Sequence, residues 1–310
     1  MRIIKDTDIN FMGKTFVATS FSIILLITGI ISIIINGGPK LSIDFKGGTF
    51  VAVNYTTPVD INKIRSAMEN VSIDGQIFDF SKEEIKHFGD KTNVAIRLAS
   101  LDNEPPSFAN KVAEKLATIY PDYIPERKTD FILSIDKVGP KVGSELSGDA
   151  LLAIISALAL ILIYVSIRFE FKYAVGAIAA LTHDVLITLG IFSILGYEIS
   201  LAVIAAFLTI VGYSLNDTIV IFDRVRENVK VLKNSTNIET VINRSINESL
   251  SRTIVTSLTT FLVVLILFLV GGEVIHTFSF AMIIGVIIGT YSSIFVASPI
   301  VIKMDERAKL

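Results

Sequence analysis

Six apolar runs, each close to the roughly 20 residues that an α-helix needs to cross a bilayer, govern what this chain can fold into. They fall at about 15–35, 149–167, 173–195, 199–222, 253–270 and 278–302. In hydrocarbon every backbone N–H and C=O must find its partner within the protein, so such runs become helices. Composition agrees: 51% of the 310 residues are apolar, and the mean hydropathy is +0.63. The first run is longer than a typical signal-peptide core and no small-x-small cleavage site follows it. It leaves through Asn36-Gly37-Gly38-Pro39, a helix exit, and reads as a retained anchor.

Several function classes drop out early. The formal charge is −2, so no basic field exists to attract the phosphates of a nucleic acid. There is no Cys, which removes disulfides, thiol catalysis and Cys-ligated zinc. His87, His183 and His276 are scattered and form no ligand pair at helical spacing, so no metal site is expected. No nucleophile, base and metal constellation appears, so no catalytic residue is assigned and an enzyme is not expected.

The expected organisation is a short N-terminus at 1–14, a first span at 15–35, a segment of soluble composition at 36–148, five spans within 149–302, and a tail at 303–310. One long polar loop, 223–252, interrupts the bundle. Orientation follows from Lys and Arg in the short loops. One side carries Arg2, Lys5, Lys14, Arg168, Lys172, Arg224, Arg226, Lys230, Lys233, Arg244, Arg252, Lys303, Arg307 and Lys309. The opposite short loops, 196–200 and 271–277, carry none. Both termini are therefore expected in the cytoplasm, with 36–148 in a periplasm or its equivalent.

That outer segment alternates α and β signals. Strands are expected at 41–45, 49–55, 73–80, 93–98 and 131–138, and helices at 58–70 and 108–119. Lys46-Gly47-Gly48 and 102–106 have turn composition. The order β-α-β-β-α-β predicts a ferredoxin-like α+β domain between the first two spans. The loop at 228–251 is helix-compatible, with Ile238, Val241, Ile242 and Ile246 on one side. It is expected to form an interfacial helix, a partner-binding face being the alternative.

Ionisable groups inside the spans carry the functional information, because each costs about 2.5–3.5 kcal/mol at a helix centre on insertion scales. Asp184 follows His183 near the middle of the third span. Its alternatives are a proton-handling role or a polar contact between helices. Asp217 lies in the cytoplasmic third of the fourth span, before Asp223-Arg224 at the water boundary. Removing water penalises its charged form and a nearby cation favours it. A group poised between those influences can load and release a proton; a permanent ion pair is the alternative. Arg252 opens the fifth span, with Thr256 and Thr260 on the same face. It is either an ordinary anchor or the partner of Asp217 beside a hydrated path. Small-residue ridges at Ala281, Gly285 and Gly289, and at Ala202, Ala205 and Ala206, are packing signals.

Four segments carry a resemblance. Asp44-Phe45-Lys46-Gly47-Gly48-Thr49 resembles the D-F-x-G-G-T signature of the SecD/SecF family. Gly212-Tyr213-Ser214-Leu215-Asn216-Asp217-Thr218-Ile219-Val220-Ile221-Phe222-Asp223-Arg224 is similar to the family's SecF signature, as are Ser251-Arg252-Thr253-Ile254 and Val138-Gly139-Pro140-Lys141-Val142-Gly143. The resemblance covers the chain from end to end. It implies an accessory subunit of the bacterial Sec translocon, related to the resistance-nodulation-division transporters and set in the inner membrane. It further implies a SecD-like partner and contact with a SecYEG translocon, with YajC and YidC-like proteins, and with translocating preprotein. Proton flow would supply the energy, with no cofactor. The family's coupling roles fall on Asp217 and Arg252, and Asp184 stays open. The residues add that charged spans need a buried surface, so a polar partner of similar shape is expected. A proton-driven exporter of small amphipathic molecules and a passive translocon scaffold are the rivals. Such exporters usually carry two six-helix halves in one chain, which this length does not allow.

Overall fold

Helices dominate because the apolar runs close their own hydrogen bonds, and strands appear only where polar residues return. The computed structural model describes residues 7–100, 104–105, 107–232 and 237–307, and gives no side-chain account of 128, 273 and 274. Arg2, Lys5, Lys233 and Lys309 of the charge argument, and most of the turn at 102–106, lie outside the described residues. The helices are α1 (Thr15–Ile35), α2 (Ile43–Lys46), α3 (Ile61–Ala67), α4 (Phe108–Ile119), α5 (Pro140–Arg168), α6 (Phe171–Leu195), α7 (Leu201–Leu232), α8 (Ile238–Val270), α9 (Glu273–Ser292) and α10 (Ser298–Arg307). The strands are β1 (Gly48–Asn54), β2 (Val71–Ile73), β3 (Gln76–Phe78), β4 (Glu84–Phe88), β5 (Asp90–Leu98) and β6 (Ile132–Val138). Two compact units result, one from Met1–Lys40 with Ala150–Leu310 and one from Leu41–Asp149.

Among the described residues, six helical stretches are long and apolar enough to cross a membrane. Half of the apolar window of α6 and of α7 is buried, against 11% for the α1 stretch and 6% for α5. The interior is therefore α6 and α7 with the last stretch, and α1 and α5 present most of their surface outward. α1 meets α6 where Gly29 and Gly190 face each other. A Cβ on either would lie 2.8 Å from the other's Cα. Ser32 and Ser193 bond across the same contact at 2.9 Å. Between α9 and α10 a π-turn, Ser293–Ala297, precedes Pro299. Proline has no N–H to give the preceding turn, and Ser298 Oγ takes up the Ser293 carbonyl at 3.0 Å.

The polar loop expected at 223–252 is a helical hairpin. α7 runs on to Leu232 and α8 already begins at Ile238, so no separate interfacial helix exists. Ile238, Val241, Ile242 and Ile246 pack in the main apolar cluster beside Val225. Their apolar face is covered by α7 and is not free for a membrane surface. Glu248 ties the hairpin together: Arg224 Nε donates to it at 2.6 Å, Asn228 at 2.8 Å and Arg244 at 2.8 Å. Asn243 and Asn247 accept from the backbone N–H of Phe11 and Ile9, which pins the segment ahead of α1.

The second unit has a fully antiparallel sheet in the order β4-β5-β1-β6. With α3 and α4 it is the ferredoxin-like sandwich the order of elements predicts, plus an inserted β2–β3 hairpin. The expected strand at 73–80 breaks because Asp74 and Gly75 both have positive φ, 51° and 82°, the geometry of a tight hairpin turn. The expected strand at 41–45 is instead the helical turn α2, started by Ser42, whose side chain accepts from the Asp44 N–H. The helix expected at 58–70 is confined to Ile61–Ala67, capped by Asp60. β4 was not expected, because Glu-Ile-Lys-His-Phe is mostly polar; it sits at the sheet edge, where charge is tolerated.

The Asp44-to-Thr49 motif is a backbone latch. Phe45 is buried, and Gly47 and Gly48 have φ of 73° and 134°. A Cβ on Gly47 would lie 2.9 Å from Pro140 Cα, and one on Gly143 would lie 2.8 Å from the Phe45 carbonyl oxygen. Thr49 is fully buried and donates to Glu104, which Lys137 also meets at 3.0 Å. The two outer-domain motifs are thus the two halves of one contact. Gly48→Ala forces a strained φ and drives a methyl into the Leu98 carbonyl. It is expected to cost more than about 2 kcal/mol, within the range for special backbone positions. Gly148→Ala in α5 has open space and should be neutral or stabilising. Thermal unfolding of the two purified variants in detergent checks the contrast.

Candidate functional site

Two carboxylates are buried in the helix core, and hydroxyl groups from neighbouring helices hold both. Asp217 on α7 is 1% exposed. Ser257 Oγ of α8 donates to its Oδ2 at 3.2 Å, and Thr290 Oγ1 of α9 approaches the same oxygen at 3.5 Å. Ser257 and Thr290 also bond each other at 2.7 Å. Three helices therefore converge on one oxygen atom.

Asp184 on α6 is fully buried. Its Oδ2 accepts from Ser214 Oγ of α7 at 2.6 Å and from Ser292 Oγ of α9 at 2.8 Å. Its Oδ1 meets His183 Nδ1 at 2.9 Å. From the far side of that ring, Nε2 reaches Ser22 Oγ of α1 at 3.0 Å, and Ser22 meets Tyr291 Oη at 2.9 Å. The two sites are neighbours along the chain: Ser214 and Asp217 are three residues apart on α7, and Thr290 and Ser292 two apart on α9. Close packing of these helices makes this possible, for a Cβ on Gly289 would lie 2.9 Å from Ser214 Cβ.

Arg252 stands apart. It is exposed, and among the described residues it makes no ion pair with Asp217. The reason is helical phase. Ser257 faces α7, and Arg252 comes five residues earlier, about 140° round the helix at 3.6 residues per turn. The hydroxyl stripe beside Arg252 does not line a path inside this chain. Thr256 bonds the carbonyls of Arg252 and Thr253, and Thr259 those of Val255 and Thr256.

Among the motif residues of α7, Gly212 and Asn216 are exposed. Thr218 is buried, and among the described residues its Oγ1 has no hydrogen-bond partner. Exposed positions Ala202, Ala205, Thr209, Gly212 and Asn216 recur at helical spacing and form one narrow, small-residue face. Ser22, Thr290, Tyr291 and Ser292 were not expected in the site. A hydroxyl in an apolar span usually bonds its own helix backbone, and sequence does not show which ones reach outward. Among the described residues no group of three or more His, Asp or Glu is placed to hold a metal ion.

Six helical spans with hydrogen-bonded carboxylates at their core, and an α+β domain inserted after the first span, define a multi-pass membrane protein of the transport kind. A family profile described as "Protein export membrane protein SecD/SecF, C-terminal" matches residues 125–307. The chain is 45% identical to the protein translocase subunit SecF of Calditerrivibrio nitroreducens, over 98% of this chain and 96% of that one. It is 41% identical to the SecF of Thermodesulfovibrio yellowstonii, over 99% and 98%. The crystal structure of SecDF from Thermus thermophilus, a translocon-associated membrane protein, superposes with a TM-score of 0.82 at 36% identity. That match covers 97% of this chain but 39% of the longer solved chain. The chain belongs to the SecD/SecF family and is a SecF-type member of it.

Asp184→Ala would orphan three buried donors, each loss costing about 1–3 kcal/mol. Its melting temperature should fall well below that of Asp184→Asn, which keeps the shape and most of the contacts. Equal melting temperatures would show that the hydroxyl cage contributes little.

Proposed function

We propose that this chain is the SecF-type accessory subunit of a bacterial Sec protein translocase and couples inward proton flow to late preprotein movement. The observation that carries the proposal is Asp217: a buried carboxylate in a membrane span that no Lys or Arg among the described residues pairs. A bare charge there is costly. Taking up a proton or gaining a cation are the two ways to remove that cost. Alternation between them changes which helix arrangement is stable, which is what a coupling device requires. Arg252 is the cation placed to serve, since among the described residues it has no ion-pair partner and it lies on α8 five residues before Ser257.

A second membrane subunit completes the site. The small-residue face of α7 ends on Asn216, next to Asp217, and an amide facing lipid alone is unfavourable. A SecD-like partner packing there would cover Asn216 and approach Arg252. The solved SecDF chain, of which this chain matches 39%, has the length to hold such a partner in one polypeptide. Contacts with SecYEG, YajC, YidC-like proteins and preprotein rest on the family resemblance. So do the inner-membrane location and the lack of any cofactor beyond the proton gradient. The positive-inside count supports cytoplasmic termini. No chemical reaction is assigned to the chain.

Export into inverted membrane vesicles, measured with and without an imposed proton gradient, tests the coupling. Asp217→Asn removes the titrating group at almost constant shape. It should abolish the gradient-dependent part of export while leaving assembly intact. Gradient-dependent export equal to that of wild type would leave a passive scaffold as the better reading.

A further inference from the structure

The contacts around His183 fix where its protons reside. Tyr291 Oη lies 2.6 Å from the Ala18 carbonyl oxygen. A carbonyl only accepts, so Tyr291 commits its single proton there. Ser22 Oγ lies 2.9 Å from Tyr291 Oη, and Ser22 alone has a proton left to place between them. Ser22 Oγ also lies 3.0 Å from His183 Nε2. With the serine proton already committed, Nε2 must be the donor. His183 therefore carries a proton on Nε2.

The other side of the ring then demands a second proton. Nδ1 is 2.9 Å from Asp184 Oδ1. An imidazole protonated only on Nε2 would turn a bare lone pair towards a bare carboxylate oxygen. Two acceptors do not hold that distance without a proton between them. Nor can the carboxylate turn away, because Ser214 and Ser292 fix its other oxygen. The missing proton sits either on Nδ1, giving imidazolium and carboxylate, or on Oδ1, giving imidazole and carboxylic acid. The proton count is the same in both, and the pair is neutral overall. That neutrality explains how two titratable groups, 6% and 0% exposed, lie in a span where no Lys or Arg among the described residues pairs with them.

We propose that His183 and Asp184 form a proton-binding site separate from Asp217, and that in this arrangement it holds one proton that fastens α1 to the core. The titratable groups facing it from packed elements are few. α9 contributes Tyr291, α7 contributes Asp217 one turn beyond Ser214, and α1 contributes only Ser22 and a backbone carbonyl. Losing the proton breaks the contact between Nδ1 and Oδ1 and frees the ring to turn. The relay through Ser22 and Tyr291 to Ala18 then loosens α1. The site does not require Asp217 to carry protons, so this test and the export test fail independently.

Nitrogen-15 NMR of the histidine-labelled full chain in lipid bilayers reads the protons directly. His87→Gln with His276→Gln leaves His183 as the sole histidine and touches neither buried carboxylate. The expected spectrum shows Nε2 protonated and Nδ1 protonated or sharing a proton with Asp184. In an added Asp184→Asn background, Nε2 should stay protonated and Nδ1 should become a bare acceptor of the new amide. A proton on Nδ1 with Nε2 bare would overturn the proposal, as would a bare Nε2 in the Asn background. Should the Asn variant fail to fold, the parent spectrum decides by itself.

Discussion

A carboxylate inside a membrane span has no water to solvate it, and this bundle is arranged around that fact. Two such groups occupy its centre, and among the described residues neither meets a Lys or Arg. What replaces water is a set of hydroxyls delivered by other helices: Ser257 and Thr290 to Asp217, Ser214 and Ser292 to Asp184. Each hydrogen bond also fixes a helix against its neighbour. The polar chemistry and the packing of α6, α7, α8 and α9 are for this reason one problem with one solution.

Close approach is the second requirement, and small residues provide it. Gly289 lets α9 settle against Ser214, and the Gly29–Gly190 contact lets α1 lie directly on α6. A hydroxyl reaches only about 3 Å, so bulky residues at these positions would pull the donors out of range. The same logic holds a different structure in the second unit. There Gly47, Gly48 and Gly143 bring two distant motifs into backbone contact, and the sheet is built onto that latch.

The two carboxylates differ in what their surroundings allow. Asp184 is enclosed on every side, joined to an imidazole, and integrated with α1 through a closed relay. Asp217 is held by one oxygen, lies beside an exposed face of α7, and has a cation in the neighbourhood but not in contact. The first environment suits holding a proton in place, and the second suits exchanging one.

Much of this was legible beforehand. The spans followed from apolar runs, since a bilayer leaves the backbone no other option. The ferredoxin-like order followed from alternating patterns, and Asp184, Asp217 and Arg252 stood out because charges in apolar runs are costly. The strand at 41–45 and the helix expected at the membrane surface were misread. A Ser42 cap outweighed strand-forming residues in the first case, and burial against α7 decided the second. Sequence determined which residues must be inside the membrane and which among them demand partners. Only the tertiary structure decided who those partners are, because a serine that bonds its own helix and one that crosses to a neighbour differ solely in the rotation of that helix. The same rotation turns Ser257 towards Asp217 and Arg252 away from it.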